Sequence, residues 1–318
     1  MTTSIDVVIP VRNNFALTDS CLRHLQAQTL PHRVIIVDNG STDGTGELLC
    51  QHWPKAHVER FDHGLSFAAA CNHGAAVGVG AIIVLLNNDV DCRPDFLERL
   101  TAPLRSDSSV GAVAGLMLQP GEERIDSVGL CADVTLAGFP RLAGLPAVRA
   151  SDRHPLLVGP AGAAAGYRRA AWVEVGGLDE GISAYLEDFE LSLRLRAGGW
   201  RTVAAADAVG VHLGSATYGR RSPLQRRLFG FARGYMLRRY GLLRGRHAVR
   251  TLATEAVVVL ADFLISRDFS AASGRIAGWR SARRLPLRPR PPADVVDTSI
   301  RFSDSLALRW AVYGRRVQ

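Results

Sequence analysis

The chain has 318 residues, 47% of them hydrophobic and 21% charged, with five cysteines and a formal net charge of +8. That supplies one large domain or two smaller ones with an ample core. It excludes a membrane-spanning helix, since the most apolar run, Ala256 to Ile265, is short and contains Asp262.

Cys21, Cys50, Cys71, Cys92 and Cys131 include no C-x-x-C pair, which excludes a disulfide framework or zinc site. They are expected as buried free thiols in a reducing cytosol. No leader is expected before Met1-Thr2-Thr3-Ser4-Ile5-Asp6, which runs straight into a strand. Charge is uneven. Residues 1–216 hold 17 basic and 24 acidic side chains, residues 217–318 hold 21 and 6. Such asymmetry points to an anionic partner for the C-terminal third.

In chain order, Ile5 to Pro10 reads as a β-branched strand and Leu17 to Gln28 as a helix. Val34 to Val37 is a second strand, ending at Asp38-Asn39-Gly40-Ser41. A helix over Thr42 to Cys50 follows, with Thr42 or Ser41 as N-cap. His57 to Arg60 is a strand, Ser66 to Val77 a small-residue helix, Ala81 to Leu86 a strand and Pro94 to Leu104 a helix. This alternation predicts a parallel sheet with helices on both faces. Beyond the strand Val110 to Leu118, residues 119–157 read as loops and short strands. Gly159 to Gly166 leads into a helix over Arg168 to Val175, broken by Gly176-Gly177. Glu187 to Ala197 is the next helix and Trp200 to Ala205 the last strand. Residues 222–250 are helical in composition, and 285–292 form a stiff extended linker.

Two acidic clusters stand out. Asn87-Asn88-Asp89-Val90-Asp91 ends an apolar strand, and Glu187-Asp188-Phe189-Glu190 opens an amphipathic helix. Carboxylates at the carboxyl end of a buried strand sit where open α/β sheets bind ligands. Hard oxygen donors there suit Mg²⁺ or Mn²⁺ holding a diphosphate, and a separate carboxylate is free to act as a base. One cluster to hold a leaving group and one to take a proton make a transferase site.

Over residues 4–214 the chain resembles the inverting family 2 glycosyltransferases with the GT-A fold, closest to their bacterial rhamnosyltransferase-like branch. The resemblance rests on Val8-Ile9-Pro10-Val11-Arg12-Asn13-Asn14, Val37-Asp38-Asn39-Gly40-Ser41-Thr42-Asp43-Gly44-Thr45, Asn72-His73-Gly74, Leu86-Asn87-Asn88-Asp89, Gly176-Gly177-Leu178-Asp179-Glu180, Glu187-Asp188 and His212. It implies an α/β, Rossmann-like GT-A catalytic domain over residues 1–216, and charge and composition add a basic, mainly helical region over 217–318. It implies that Asp38 reads the base of a nucleotide-sugar, the alternative being an Asx-turn or cap for Asp38, Asn39 and Ser41. Pro10, Asn13, Asn39, Ser41, Asn72 and Asn88 are carried over to the same nucleotide pocket. Asp89 falls on the metal-binding position of the family's Asp-x-Asp motif, and Asn87 replaces the first Asp, which removes a charge. Asp91 either compensates or faces solvent. The resemblance adds His212 to the metal or diphosphate site. Asp188 is the expected general base. Glu187 either favours the helix dipole or orients the acceptor.

The implied cofactor is a divalent cation, Mg²⁺ or Mn²⁺, and the implied donor a nucleotide-sugar. The acceptor is a glycan or polyprenyl-linked glycan of cell-envelope assembly, met in the cytoplasm or at the inner face of the membrane. Arginines beside Leu228, Phe229, Phe231 and Tyr235 read as a helix lying on an anionic membrane. The alternative is a face packed on the catalytic domain or a homodimer partner. No nucleic-acid module is legible. Two rival readings are a sugar-phosphate nucleotidyltransferase, which wants a Gly-rich loop followed by Arg and Lys, and a degenerate binding module.

Overall fold

The structure is a computed structural model that describes residues 4–214 and 222–314, side chains beyond Arg309 excepted. Its first half follows the alternation read from the sequence: β1 (Ile5–Val11), α1 (Phe15–Gln26), β2 (Arg33–Asn39), α2 (Thr45–His52), β3 (His57–Phe61), α3 (Phe67–Val77) and β4 (Ile82–Leu86). Strands β1, β2 and β4 are apolar over nearly their whole length because helices cover both faces of the sheet. Asn14 caps α1 by accepting from the Leu17 N–H, and Ser66 caps α3 by accepting from Ala69. Neither Ser41 nor Thr42 caps α2, as the sequence suggested. The Ser41 hydroxyl accepts from the Asn13 N–H and the Thr42 N–H donates to Asn13 Oδ1, so both serve the loop after β1. The helix starts later, behind a left-handed Gly44.

The second half adds β5 (Val90–Cys92), α4 (Phe96–Ser106), β6 (Val110–Leu118), β7 (Ile125–Ser127), β8 (Leu130–Ala132), β9 (Gly138–Pro140), β10 (Ala164–Arg168), α5 (Arg169–Val175), α6 (Glu187–Ala197) and β11 (Arg201–His212). The main sheet has the order β3-β2-β1-β4-β10-β6-β11-β5, with β7 paired to β6. It is mixed, not parallel throughout. The excursion after β6 ends on the ligand side of the sheet, so β10 re-enters from there and runs antiparallel to both β4 and β6. One face packs Leu22, Leu25, Phe96 and Leu100 over Ile9 and Ile36. The other packs Ala68, Cys71, Trp172 and Leu191 over Val8 and Val37. Helix α3 is built of Ala and Gly because it lies almost against β1. A Cβ at Gly74 would collide with Val8. Cysteines 21, 71, 92 and 131 are buried free thiols, but Cys50 is exposed.

The C-terminal part contributes α7 (Pro223–Arg239), α8 (Ala248–Ser266), α9 (Ser270–Ala282) and α10 (Phe302–Gly314). Helices α7 and α9 touch backbone to backbone. Gly230 and Gly234 on one, Gly274 and Gly278 on the other, each leave no room for a Cβ against a carbonyl of the facing helix. Thr217, the expected boundary, lies outside the described residues. The C-terminal helices nonetheless share one apolar cluster with the α/β part, where Tyr235, Met236 and Tyr240 meet Leu130, Ile182, Phe189 and Leu193. Residues 285–292 have no regular structure, as expected of a linker, but they are strapped down. Arg288 donates its N–H to the Arg239 carbonyl, pairs with Glu190 at 2.8 Å and also bonds Asp179.

For three arginines of α7 the structure takes the alternative reading, a face packed inside the protein, while Arg227 stays exposed. Arg226, Arg233 and Arg239 are buried. They find carboxylates or carbonyls inside the protein: Asp268 for Arg226, Glu255 and the carbonyls of Thr135 and Leu136 for Arg233, Pro286 for Arg239.

Candidate active site

The loops after β1 and β4, the ends of β7, β10 and β11, and the start of α6 converge at the carboxyl edge of the sheet. They line a cavity of about 540 Å³. Asp89 and His212 are brought together by strand register. Val90 of β5 pairs with His212 of β11, and the Leu213 N–H donates to the Asp89 carbonyl. His212 Nε2 stands 3.4 Å from Asp89 Oδ1, and its Nδ1 stands 3.0 Å from Asp126 Oδ2. Burial works against a charged imidazole here, but the hydrogen bonds it donates to Asp126 and Asp89 outweigh it and push His212 up to about 10.

Across the cavity, Tyr185 and Leu186 both take left-handed backbone angles, φ 66° and 65°, just before α6. Such residues cost about 1–3 kcal/mol each and persist where the surroundings over-determine them. They turn the chain so that α6 opens at the cavity wall with Glu187 and Asp188. Asp188 Oδ2 accepts the Gly162 N–H at 2.7 Å and Oδ1 accepts the Phe189 N–H at 2.6 Å. Glu187 Oε2 is buried with no hydrogen-bond partner among the described residues. Burial, then the neighbouring Asp188 charge, pushes Glu187 up to about 8. Burial also raises Asp188, against the lowering effect of its two N–H bonds. Two carboxyls in one dry site compete for ionisation. Glu187 keeps the proton and Asp188, with donors at both oxygens, keeps the charge.

The remaining residues expected at the site divide. Pro10, Asn13, Asn39, Asn87 and Asn88 line the cavity. Asn39 directs both ends of its amide at Leu65, and Asn88 donates to Thr18 Oγ1. Asp38 and Ser41 do not reach the lining. Asp38 is 1% exposed, accepts from the Ser41 N–H at 3.0 Å and lies 3.3 Å from Arg60 Nε, which is the Asx-turn alternative. Asn72 is also outside: its amide bridges to both backbone groups of Leu178 and to Glu180, fastening α3 to the Gly176–Glu180 turn. Asp91 is turned to α1, where it accepts from Ser20 Oγ and faces His24 at 3.2 Å, so it does not join Asp89.

The sequence model of glycosyl transferase family 2 matches residues 6–175. The chain belongs to that family. It is 30% identical over 229 residues to the O-antigen biosynthesis protein RfbC of Myxococcus xanthus, 68% of this chain but 18% of that protein. It is 27% identical over 213 residues to the N-acetylglucosaminyl-diphospho-decaprenol L-rhamnosyltransferase of Mycobacterium tuberculosis, 60% of this chain and 69% of that one. The chain therefore spans under a fifth of the Myxococcus relative and about two thirds of the mycobacterial one. Two solved structures share the fold. The mannosyltransferase PcManGT of Pyrobaculum calidifontis, in complex with GDP-Man and Mn²⁺, superposes with TM-score 0.50 at 18% identity, over 98% of this chain and 81% of that one. GalNAc-T7 with UDP, GalNAc and Mn²⁺ gives TM-score 0.60 at 12% identity, over 98% of this chain and 58% of that one. The fold of this family 2 member is thus GT-A-like.

The donor set fits a divalent cation. Asp89 offers a hard oxygen and His212, once a cation displaces the proton from its Nε2, a borderline nitrogen, a pair suited to Mn²⁺. Asp126 engages the other ring nitrogen, as outer-shell carboxylates do for metal-bound histidines. No group of three or more acidic, His or Cys side chains able to hold a metal exists among the described residues. The pair would be completed by substrate oxygens.

Asp126 carries no motif in the sequence and lies in the loop-rich excursion, so nothing marked it. The far end of the cavity was equally silent. Tyr185 and Phe229 face each other there at 6.1 Å, and Arg233, Arg275 and Arg309 form part of its wall. Only the charge asymmetry of the C-terminal third hinted at those arginines.

Proposed function

We propose that this family 2 member transfers a sugar from a nucleotide-sugar to an acceptor hydroxyl, with inversion at the anomeric carbon and dependence on Mg²⁺ or Mn²⁺. The observation that carries the reading is the Asp188 carboxylate, held by the Gly162 N–H in the wall of the cavity that also contains Asp89 and His212. Asp188 takes the proton of the acceptor hydroxyl as it attacks the anomeric carbon, and its raised pKa makes it a stronger base than a solvated Asp. Asp89 and His212 would hold the cation, which supplies charge neutralisation for the departing diphosphate. Pro10, Asn13, Asn39 and Asn88 bound the nucleotide end. Asp38 and Ser41 hold Asn13 and its loop in position. One displacement inverts the configuration.

The acceptor reading is a lipid-linked glycan met at the inner face of the membrane. The mycobacterial relative's name gives a decaprenol diphosphate acceptor, and the aromatic and arginine-lined end of this cavity is compatible with an amphiphilic anion. The test is incubation with UDP-, dTDP- and GDP-sugars and Mn²⁺, followed by NMR of the product's anomeric coupling. Transfer with inversion that disappears in Asp188→Asn supports the reading. Retention of configuration, or full activity in that variant, rejects it.

A further inference from the structure

Helix α8 is inside out. Its inward residues are polar: Thr251 and Thr254 are fully covered, and Glu255, 7% exposed, pairs with Arg233 at 2.7 Å, Arg275 at 2.9 Å and Arg309 at 3.4 Å. Its solvent side is an apolar stripe at helical spacing: Val249, Leu252 (61% exposed), Ala256, Leu260 (58%) and Leu264 (52%). Phe269, stacked on Phe263, is exposed just beyond its end. A helix of 19 residues extends about 28 Å, so the stripe is long. A contiguous exposed apolar face of this kind marks an interaction surface. No described helix is long and apolar enough to cross a membrane.

Charge selects the occupant. Exposed Arg244 and Arg246 precede the stripe and exposed Arg267 follows it. The acids of α8 and its C-terminal turn face inward: Glu255 meets three arginines, while Asp262 and Asp268 meet Arg226. A symmetric pairing of two copies would lay this face on itself, arginines against arginines, while the acids of α8 are already engaged inside the protein. An anionic bilayer offers acyl chains to the stripe and phosphates to its ends. Val258, on the inward side of α8 with Thr254 and Glu255, is part of the wall of the active-site cavity, so the helix has the acceptor end of that cavity behind it and the stripe in front.

We propose that α8 lies in the interface of an anionic membrane, its Leu252–Leu260–Leu264 stripe among the acyl chains and Arg244, Arg246 and Arg267 against headgroup phosphates. This deepens the lipid-linked acceptor reading, yet the two fail separately, since vesicle capture requires no sugar transfer.

The test is co-sedimentation of the full chain with vesicles of equal parts phosphatidylglycerol and phosphatidylcholine at low salt. Capture is expected, and pure phosphatidylcholine should capture far less. The triple variant Leu252→Ser, Leu260→Ser, Leu264→Ser should lose more than about tenfold in affinity with its circular dichroism unchanged. A charge-reversed variant, Arg244→Glu, Arg246→Glu, Arg267→Glu, should lose the preference for anionic vesicles and serves if the serine variant misfolds. No capture of the wild type, or equal capture of both variants, overturns the proposal. So does equilibrium sedimentation that finds a dimer which the serine changes dissociate, for the face would then join two copies.

Discussion

The Gly162 N–H donates to Asp188 Oδ2 across 2.7 Å, and this bond joins the loop before β10 to the first turn of α6. An amide in place of the carboxylate would set an N–H or a weaker acceptor against that donor and could not take a proton. Asp188→Asn is therefore expected to lower kcat by roughly 10²–10⁴ while nucleotide-sugar affinity, read by calorimetry, stays within a few-fold. A variant with more than half of wild-type kcat would remove Asp188 from the base role.

The neighbouring Glu187 sets a pH signature in stability. Its pKa is raised from 4.5 to about 8 in the folded chain, so the folded protein keeps a proton that the unfolded chain has released. Stability attributable to it is highest below 4.5 and declines as pH rises towards 8. Glu187→Gln, which cannot ionise, should unfold at nearly the same temperature as wild type at low pH and at a clearly higher one near pH 8. Parallel Tm–pH curves for the two proteins would contradict the assignment.

Asn87 lies in the cavity wall beside Asp89 and contributes no charge. Because cation affinity follows the number of charged oxygens, Asn87→Asp should tighten Mn²⁺ binding by about an order of magnitude, and Asp89→Ala should weaken it by at least as much. Electron spin resonance of free Mn²⁺ titrated with each protein in the presence of UDP measures both. Identical titrations for all three proteins would separate the metal from this loop.

Glu255 neutralises a buried arginine cluster, and the arginines in turn depress its pKa below the usual glutamate range. Its removal strands those cations, so Glu255→Ala should cost roughly 3–5 kcal/mol in urea unfolding. The wild-type contribution is complete above pH 4.5 and is lost as pH falls through the depressed value, which makes the variant comparatively insensitive to acid. A loss below about 1 kcal/mol would mean that water reaches the cluster.

Much of this architecture was legible because it is written in runs and endings. The apolar runs of β1, β2 and β4 and the acidic opening of α6 announce themselves, and Asp89, Asp188 and His212 do line one cavity. What was not legible is direction and partnership. Composition does not say which way β10 runs, and Asp126 sits among loops without a motif. The roles expected of Asn72 and Asp91 failed for a related reason: both residues lie near the site in sequence, but Leu178 and Ser20 claim their polar atoms. The arginines of α7 read as a membrane-facing surface because charge ordinarily stays at the surface. Three of them, Arg226, Arg233 and Arg239, are buried, and the clue was the four-residue spacing of Gly230 and Gly234, matched by Gly274 and Gly278, which signals close helix contact.

That glycine seam reaches further than the two helices it joins. With their backbones in contact, α7 and α9 deliver Arg233 and Arg275 to one spot with little slack, and Arg309 arrives beside them. A carboxylate must answer there, and α8 answers with Glu255. A helix has a single rotational phase. Once Glu255 fixes it, Leu252, Leu260 and Leu264 have nowhere to point but outward. The greasy exterior of α8 is thus decided by hydrogen atoms, the missing side chains of four glycines on its neighbours.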